Sequence, residues 1–177
     1  MSISKDSVRS IVRTGTIEDS EAILDIQKSV VSEGEFLIPL ASEFTKTYSQ
    51  QKEWVQSILE NEKETLLVAE KEGEVIGWIV FQMSKNRMRL SHTGNFGMMI
   101  SKSYRGLGIG SMLLKALLDW AENHPLIEKV SLGVFATNHG AISLYKKMGF
   151  IEEGRKVKEF KMNEDEYVDD ILMYKLV

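Results

Sequence analysis

Three glycines at alternate positions could form an anion site. They are Gly106, Gly108 and Gly110 in "RGLGIG", which begins at Arg105 and leads directly into a long apolar segment. Free backbone N–H groups at a helix start bind phosphate, and glycine lets the backbone approach closely. The spacing excludes the common nucleotide loops, because no Lys-Ser or Lys-Thr pair follows Gly110 and G-x-G-x-G differs from the dinucleotide fingerprint G-x-G-x-x-G. A pyrophosphate site and a close-packed strand-to-helix turn both remain.

A second stretch, "NHGAISLYKKMGF" at 138–150, carries a tyrosine within a helical pattern. Tyr145 follows Ala141 by four residues and Ile142 by three, a spacing that in isolation favours a core tyrosine. Asn138 directly precedes the helical run, which is the place of an N-cap, and Gly149 ends it.

Composition limits the classes of protein that these residues can serve. The chain has 177 residues, of which 43% are hydrophobic and 27% charged, so we expect residues 1–177 to form a single globular domain. It has no cysteine and only three scattered histidines, so we expect no disulfide, no cysteine nucleophile and no metal site. The net charge of −4 argues against a nucleic-acid surface. Without a signal segment or a membrane-length apolar run, a cytoplasmic protein without membrane contact is expected.

Hydrophobic periodicity predicts the elements that must position these residues. Two apolar runs around "EKEGE" form a hairpin with Gly73 in its turn, and Gly94 and Gly97 mark a bulge or a close backbone approach in the following strand. The first helix has Thr16 as its N-cap. We expect strands within 9–16, 65–84, 87–103, 129–136, 150–160 and 166–177, and helices within 16–34, 49–64, 111–123 and 138–149. The helix after the glycines places Met112, Leu113, Ala116, Leu117, Trp120 and Ala121 on one core face.

Both stretches resemble motifs of one family, the GNAT (general N-acetyltransferase) superfamily. "RGLGIG" resembles its motif A, which has Arg or Gln, two residues, Gly, one residue, then Gly or Ala. "NHGAISLYKKMGF" resembles its second coenzyme-binding motif, and the C-terminal "GFIEEGRKVKEF" onward is similar to the branch of ribosomal-protein N-terminal, polyamine and amino-acid-analogue acetyltransferases. The fold implied is α/β (α+β mixed): a central, mostly antiparallel mixed sheet flanked by helices.

The resemblance also implies roles for individual residues. Acetyl-CoA is the implied cosubstrate, and its pantetheine arm would pair with the strand Met98, Met99 and Ile100. Its pyrophosphate would take the backbone amides of Arg105, Gly106, Leu107, Gly108, Ile109 and Gly110. Asn138 would hydrogen-bond the coenzyme, and Tyr145 would be the catalytic acid near its sulfur. A homodimer through sheet edges or the C-terminal strands is a further expectation from the family.

The general base stays unassigned. In several relatives a Glu or His lies four or six residues before the last aliphatic residue of the preceding strand, where this chain has Phe96 and Gly94. His92, Glu35, Glu43 and a water relay remain as candidates.

Two functions from different classes follow. The first is an N-acetyltransferase that moves acetyl to a primary amine, on a small molecule or a protein N-terminus, by direct attack in a ternary complex. No cysteine is present to carry the acetyl group. The second is a CoA-binding sensor or scaffold module without turnover.

Overall fold

The computed structural model describes residues 9–83 and 87–177, and one seven-stranded sheet runs through them in the order β1-β2-β3-β4-β5-β7-β6. Its strands are β1 (Ile11–Thr14), β2 (Thr65–Lys71), β3 (Glu74–Met83), β4 (Thr93–Ile100), β5 (Lys129–Phe135), β6 (Ile151–Lys161) and β7 (Tyr167–Leu176). The helices are α1 (Ser20–Glu33), α2 (Tyr48–Leu59), α3 (Ile109–Glu122) and α4 (His139–Lys147). The predicted α/β class and element order are confirmed.

Strands β4 and β5 form the parallel pair of the sheet, and they separate soon after they meet. Their pairing is confined to Thr93–Asn95 and Lys129–Ser131. Beyond these residues β4 continues to Ile100 and β5 to Phe135, with no strand between them. The facing backbone edges of both strands are therefore open to whatever enters the gap.

Two hydrophobic layers cover the sheet. On one face α3 packs its buried side chains against the central strands, and the partly buried side chains of α4 pack against the same cluster. On the other face α1 and α2 cover β2 and β3 around Trp78. In α3 the buried residues include Leu114 and Leu118, whereas Met112 is 36% exposed. The predicted face of α3 was therefore wrong at Met112, because the buried face of the helix contains Leu114 and Leu118 instead.

Local signals explain several boundaries. The β2–β3 hairpin turns through Glu72 and Gly73, both at positive φ (53° and 81°), which suits a two-residue hairpin turn. Thr16 precedes a short 3-10 turn that leads into α1. At α2 the Thr47 hydroxyl accepts from the backbone N–H of Gln50 at 3.2 Å.

Gly94 has a steric role in β4, and neither Gly94 nor Gly97 makes a bulge. The β3–β4 register runs unbroken from Gly77↔Ile100 to Met83↔Gly94, so the bulge expectation was wrong. A Cβ at Gly94 would lie 2.5 Å from both the Gln82 carbonyl oxygen and the Phe81 ring, which confirms the close backbone approach. Gly97 has no such neighbour, its nearest being 3.9 Å away.

None of the helices in residues 9–83 and 87–177 combines the length and apolar character needed to cross a membrane.

Candidate active site

A cavity of about 850 Å³ opens where β4 and β5 separate. Its walls come from β4, the turn before α3, the starts of α3 and α4, β5, β7 and the loop after α1. All but one of the predicted coenzyme and catalytic residues line it: Met98, Met99, Ile100, Arg105, Gly106, Gly108, Ile109, Gly110, Asn138 and Tyr145. Leu107 is the exception, since its side chain is 64% exposed and lies outside the wall. The fold therefore brings two motifs, which are about 30 residues apart in the sequence, to one cavity.

The three glycines of the turn serve two different purposes. Gly106 and Gly108 have φ angles of 72° and 83°, a region that favours glycine, and open space lies around both. Gly110 instead packs closely, because a Cβ there would lie 3.2 Å from the Leu144 side chain and 3.3 Å from that of Ile100. Gly110 therefore fits the close-packed turn, whereas Gly106 and Gly108 leave the backbone open to the cavity.

The start of α3 presents unused donors to the cavity. The first helical hydrogen bond runs from the Met112 N–H to the Gly108 carbonyl at 3.1 Å. The amides of Gly106 to Gly110 donate to no other described residue. These donors and the helix dipole together suit an anion. The cradle therefore fits a pyrophosphate without any cationic side chain.

Most N–H donors of Arg105 form hydrogen bonds within the protein. Its backbone N–H donates to Lys102, its Nε donates to the Ile100 carbonyl at 3.0 Å, and its guanidinium binds both oxygens of Glu33 at 2.7 and 2.8 Å. Arg105 holds the pKa of the Glu33 carboxyl below its usual range through these hydrogen bonds. Arg105 thus links α1 to the turn, with three of its five side-chain N–H donors engaged and two left for another acceptor.

Asn138 fulfils its predicted capping role. Its side-chain oxygen accepts from the Ala141 N–H at 3.3 Å at the start of α4. Its NH₂ group donates to no described residue, which leaves two donors at the wall of the cavity.

Tyr145 stands on α4 among aromatic side chains. Its ring meets Phe96 edge-on, with centroids 5.5 Å apart, and Phe150 at 6.1 Å. Burial raises the pKa of Tyr145 to about 12, so its hydroxyl is protonated throughout the physiological range. That hydroxyl bonds to no other described residue. The Tyr145 side chain is therefore both a core residue and a free donor at the cavity.

Of the three side chains that are candidates for the general base, only Glu35 lines the cavity. Glu35 lines the cavity but is exposed. Glu43 accepts from the Leu40 N–H in the loop after α1 and lies outside the wall. His92 precedes β4, about 13 Å along the strand from Phe96 at ~3.3 Å per residue. At Gly94, backbone and ring atoms at 2.5 Å exclude any side chain.

Sequence reasoning missed a carboxylate on β7. Asp170 pairs with Phe135 of β5, is 9% exposed and lines the cavity on the face opposite α3 and α4. It also missed the apolar segment after α1, Phe36 to Pro39, and Phe160 of β6. An acidic residue inside an apolar strand pattern was the available signal for Asp170. Its approach to the cavity depends on the β5–β7 register, which a single sequence does not reveal.

Within the described ranges, no group of three or more acidic or histidine side chains is placed to hold a metal ion.

Comparisons with known proteins agree on one family. Residues 34–150 match the family described as "Acetyltransferase (GNAT) family". The chain is 30% identical over 120 residues to the L-amino acid N-acetyltransferase AaaT of Escherichia coli, covering 68% of this chain and 73% of that protein. It is 29% identical over 178 residues to an N-alpha-acetyltransferase of Sulfolobus acidocaldarius, covering 95% and 97%.

Solved structures share the fold. An acetyltransferase of the GNAT family from Streptococcus pneumoniae superposes with a TM-score of 0.89 at 24% identity, covering 96% of this chain and 100% of that one. The acetyltransferase yncA of Salmonella typhimurium, whose structure was determined with its cofactor acetyl-CoA, superposes with a TM-score of 0.86 at 19% identity, covering 95% and 94%.

Proposed function

The chain is a GNAT-family acetyltransferase, and we propose that it moves the acetyl group of acetyl-CoA to a primary amine by direct attack in a ternary complex. One observation carries the proposal. A single cavity holds unused helix N-terminal amides, an open strand edge and a protonated tyrosine. These are the groups needed for a pyrophosphate, an extended amide-containing arm and a leaving sulfur, respectively. We propose as well that residues 1–177 act as one domain.

The amides of the turn support binding of the anionic part of the cosubstrate. The donors of Gly106, Gly108 and Gly110 neutralise a pyrophosphate by hydrogen bonding in a site that carries no free cation of its own. The open edge of β4 at Met98 to Ile100 supplies main-chain partners for the amides of a pantetheine arm. Side-chain identity matters little for such pairing.

Direct attack needs a neutral amine beside the thioester carbonyl. At pH 7 the α-amino group of a peptide N-terminus, with a pKa near ~7.8, is about one part in seven neutral, whereas a lysine-like amine near ~10.4 is about one in 2,500. The AaaT and Sulfolobus relatives are named for amino-acid and N-alpha acetylation. We therefore favour an α-amino acceptor, on an amino-acid-like molecule or a peptide N-terminus. A backbone N–H of β4 that faces the gap, at Met98 or Ile100, is the candidate donor to the developing oxyanion, because the N–H of Met99 faces β3.

Tyr145 then acts on the leaving sulfur as a hydrogen-bond donor. With a pKa of about 12, its hydroxyl is a weaker acid than a thiol of ordinary pKa near ~8.5, so complete proton transfer to the thiolate is unfavourable. Donation without transfer stabilises the developing charge as the C–S bond breaks. The proton that finally reaches sulfur comes from the amine nitrogen.

Thiol release from acetyl-CoA over a panel of amino acids, short peptides and polyamines tests the proposal. We expect amine-dependent release of thiol and formation of the acetylated amine. Acetyl-CoA binding in calorimetry without turnover on any acceptor would instead indicate a coenzyme-binding module. Absence of acetyl-CoA binding would refute the proposed cosubstrate.

A further inference from the structure

We propose that Asp170 is the catalytic carboxylate that receives the acceptor ammonium and removes its proton before attack. The proposal rests on the proposed acetyl transfer and names the base of that same site. It depends on the position of Asp170 in the cavity, on the space that Gly133 leaves for it, and on its long ion pair with Lys156, whose Nζ lies 3.9 Å away.

The position of Asp170 follows from the strand register. Asp170 pairs with Phe135 and Leu172 pairs with Gly133, which puts Asp170 and Gly133 on one face of the sheet. Ile171 and Met173 face the opposite way, into the α3 core. The carboxylate therefore reaches the cavity from the face opposite α4, while Tyr145 reaches it from α4. The two groups can serve two different protons, one on the amine and one at the sulfur.

Gly133 makes room for the carboxylate. A Cβ at position 133 would lie 2.9 Å from Oδ1 and 3.3 Å from Oδ2 of Asp170, so any larger residue would displace it. The φ of Gly133 is not in the left-handed region, so backbone freedom does not require glycine there. The glycine is explained by the carboxylate beside it.

Asp170 is not neutralised by a tight ion pair. Its nearest cation, Lys156 Nζ on β6, lies 3.9 Å from Oδ2 and is half exposed. Glu159 on β6 is the other charged side chain that acts on it, and the cavity wall also contains Glu35 and the Glu33–Arg105 ion pair. Burial raises the pKa of Asp170 above its usual range, against the lowering by Lys156 and by the Val134 backbone N–H. A buried carboxylate whose ion pair is as long as this one favours binding of an ammonium group.

The proton balance is complete without another reactant. The Asp170 carboxylate takes one proton from the ammonium and later releases it to solvent. The amine nitrogen forms the new bond to the acetyl carbon, the C–S bond breaks, and the second amine proton passes to the thiolate. The products are the acetylated amine, the free thiol and one proton.

The surroundings of Asp170 also indicate the kind of acceptor. The wall around it is apolar, with Phe135 and Phe160 stacked at 4.2 Å between ring centroids and Phe36 and Ile38 at the opening. A single buried carboxylate in such a wall suits one ammonium group on an apolar body.

Asp170→Asn keeps the shape of the side chain and removes the base. We expect kcat/KM for the best amine to fall by roughly 100-fold or more, with unchanged acetyl-CoA affinity in calorimetry. In the wild type kcat/KM falls as pH drops through the pKa of Asp170, because the base must be deprotonated. In the variant this acidic limb is replaced by one at the pKa of the free amine, because only the neutral amine then reacts. Asp169→Asn is the matched control. Its carboxylate binds Arg155 and the Lys158 N–H outside the cavity, so activity should change little.

Two further variants keep the assignment falsifiable if Asp170→Asn folds poorly. Gly133→Ala should lower kcat/KM by displacing the carboxylate, while acetyl-CoA affinity stays the same. Glu35→Gln, which removes an exposed carboxylate of the cavity wall, should leave the fall of kcat/KM at low pH in place.

Equal activity of wild type and Asp170→Asn, or loss of the limb in Glu35→Gln, overturns the assignment to Asp170 while leaving acetyl transfer intact. A wild-type protein that acetylates no amine refutes the proposed function, and the assignment with it.

Discussion

Removing the Tyr145 hydroxyl gives the sharpest test of how the leaving sulfur is handled. Tyr145→Phe preserves the ring contacts with Phe96 and Phe150, at 5.5 and 6.1 Å between centroids, and deletes a hydroxyl that bonds to no other described residue. The change should therefore cost little stability. A hydrogen bond to a charged group contributes about 1.5–3 kcal/mol. Since about 1.4 kcal/mol is tenfold in rate, kcat should fall roughly 10- to 150-fold.

The assay is steady-state thiol release with the best acceptor, with acetyl-CoA affinity measured separately by calorimetry. Affinity should stay within about twofold, because a bond made mainly to the developing thiolate contributes little to the ground state. Tyr174→Phe is the matched control, since Tyr174 lies on β7 outside the cavity wall and stacks under Lys129.

Two results would refute the reasoning about Tyr145. An unchanged kcat would show that its hydroxyl does not contact the leaving sulfur. A fall beyond about 10⁴-fold would exceed one hydrogen bond and show that full proton transfer from Tyr145 is required. The pH profile adds an independent check. With a pKa of about 12, ionisation of Tyr145 should produce no decline in kcat below about pH 11.

Three further substitutions test the fold that holds the site. Gly108→Ala, at φ 83° in open space, should lower the free energy of unfolding by about 1–2 kcal/mol and weaken acetyl-CoA binding in calorimetry; unchanged affinity would separate the turn from the coenzyme. Gly94→Ala places a methyl group 2.5 Å from the Gln82 carbonyl and the Phe81 ring, so urea unfolding should show a loss of about 3 kcal/mol or more, and wild-type stability would contradict the close approach. Gln51→Met removes a fully buried amide that has no hydrogen-bond partner among the described residues, so it should raise the free energy of unfolding by about 1–3 kcal/mol. A lower free energy of unfolding would reveal a partner such as a bound water.

Much of this architecture was predictable because its signals are local. The hairpin at Gly73, the helix after "RGLGIG" and the end of α4 at Gly149 follow from turn chemistry and periodicity within a few residues. The joint placement of Tyr145 and the glycines needed the family resemblance, since 35 to 39 residues separate them.

Other features depend on contacts that sequence spacing does not reveal. Asp170 reaches the cavity through a strand register, and Gly133 and Gly94 are needed because of atoms from other strands. The guanidinium of Arg105 is bound by Glu33, which lies 72 residues earlier in the chain. Each of these depends on long-range geometry, and none leaves a periodic pattern.

A crystal structure of the protein with a CoA–amine bisubstrate analogue tests the central claim most directly. We expect the pyrophosphate on the amides of Gly106 to Gly110 and the pantetheine arm along Met98 to Ile100. We also expect the sulfur within ~3.5 Å of the Tyr145 hydroxyl and the acceptor nitrogen within ~3 Å of the Asp170 carboxylate. An analogue bound outside the gap between β4 and β5, or with its pyrophosphate away from the start of α3, would contradict the account.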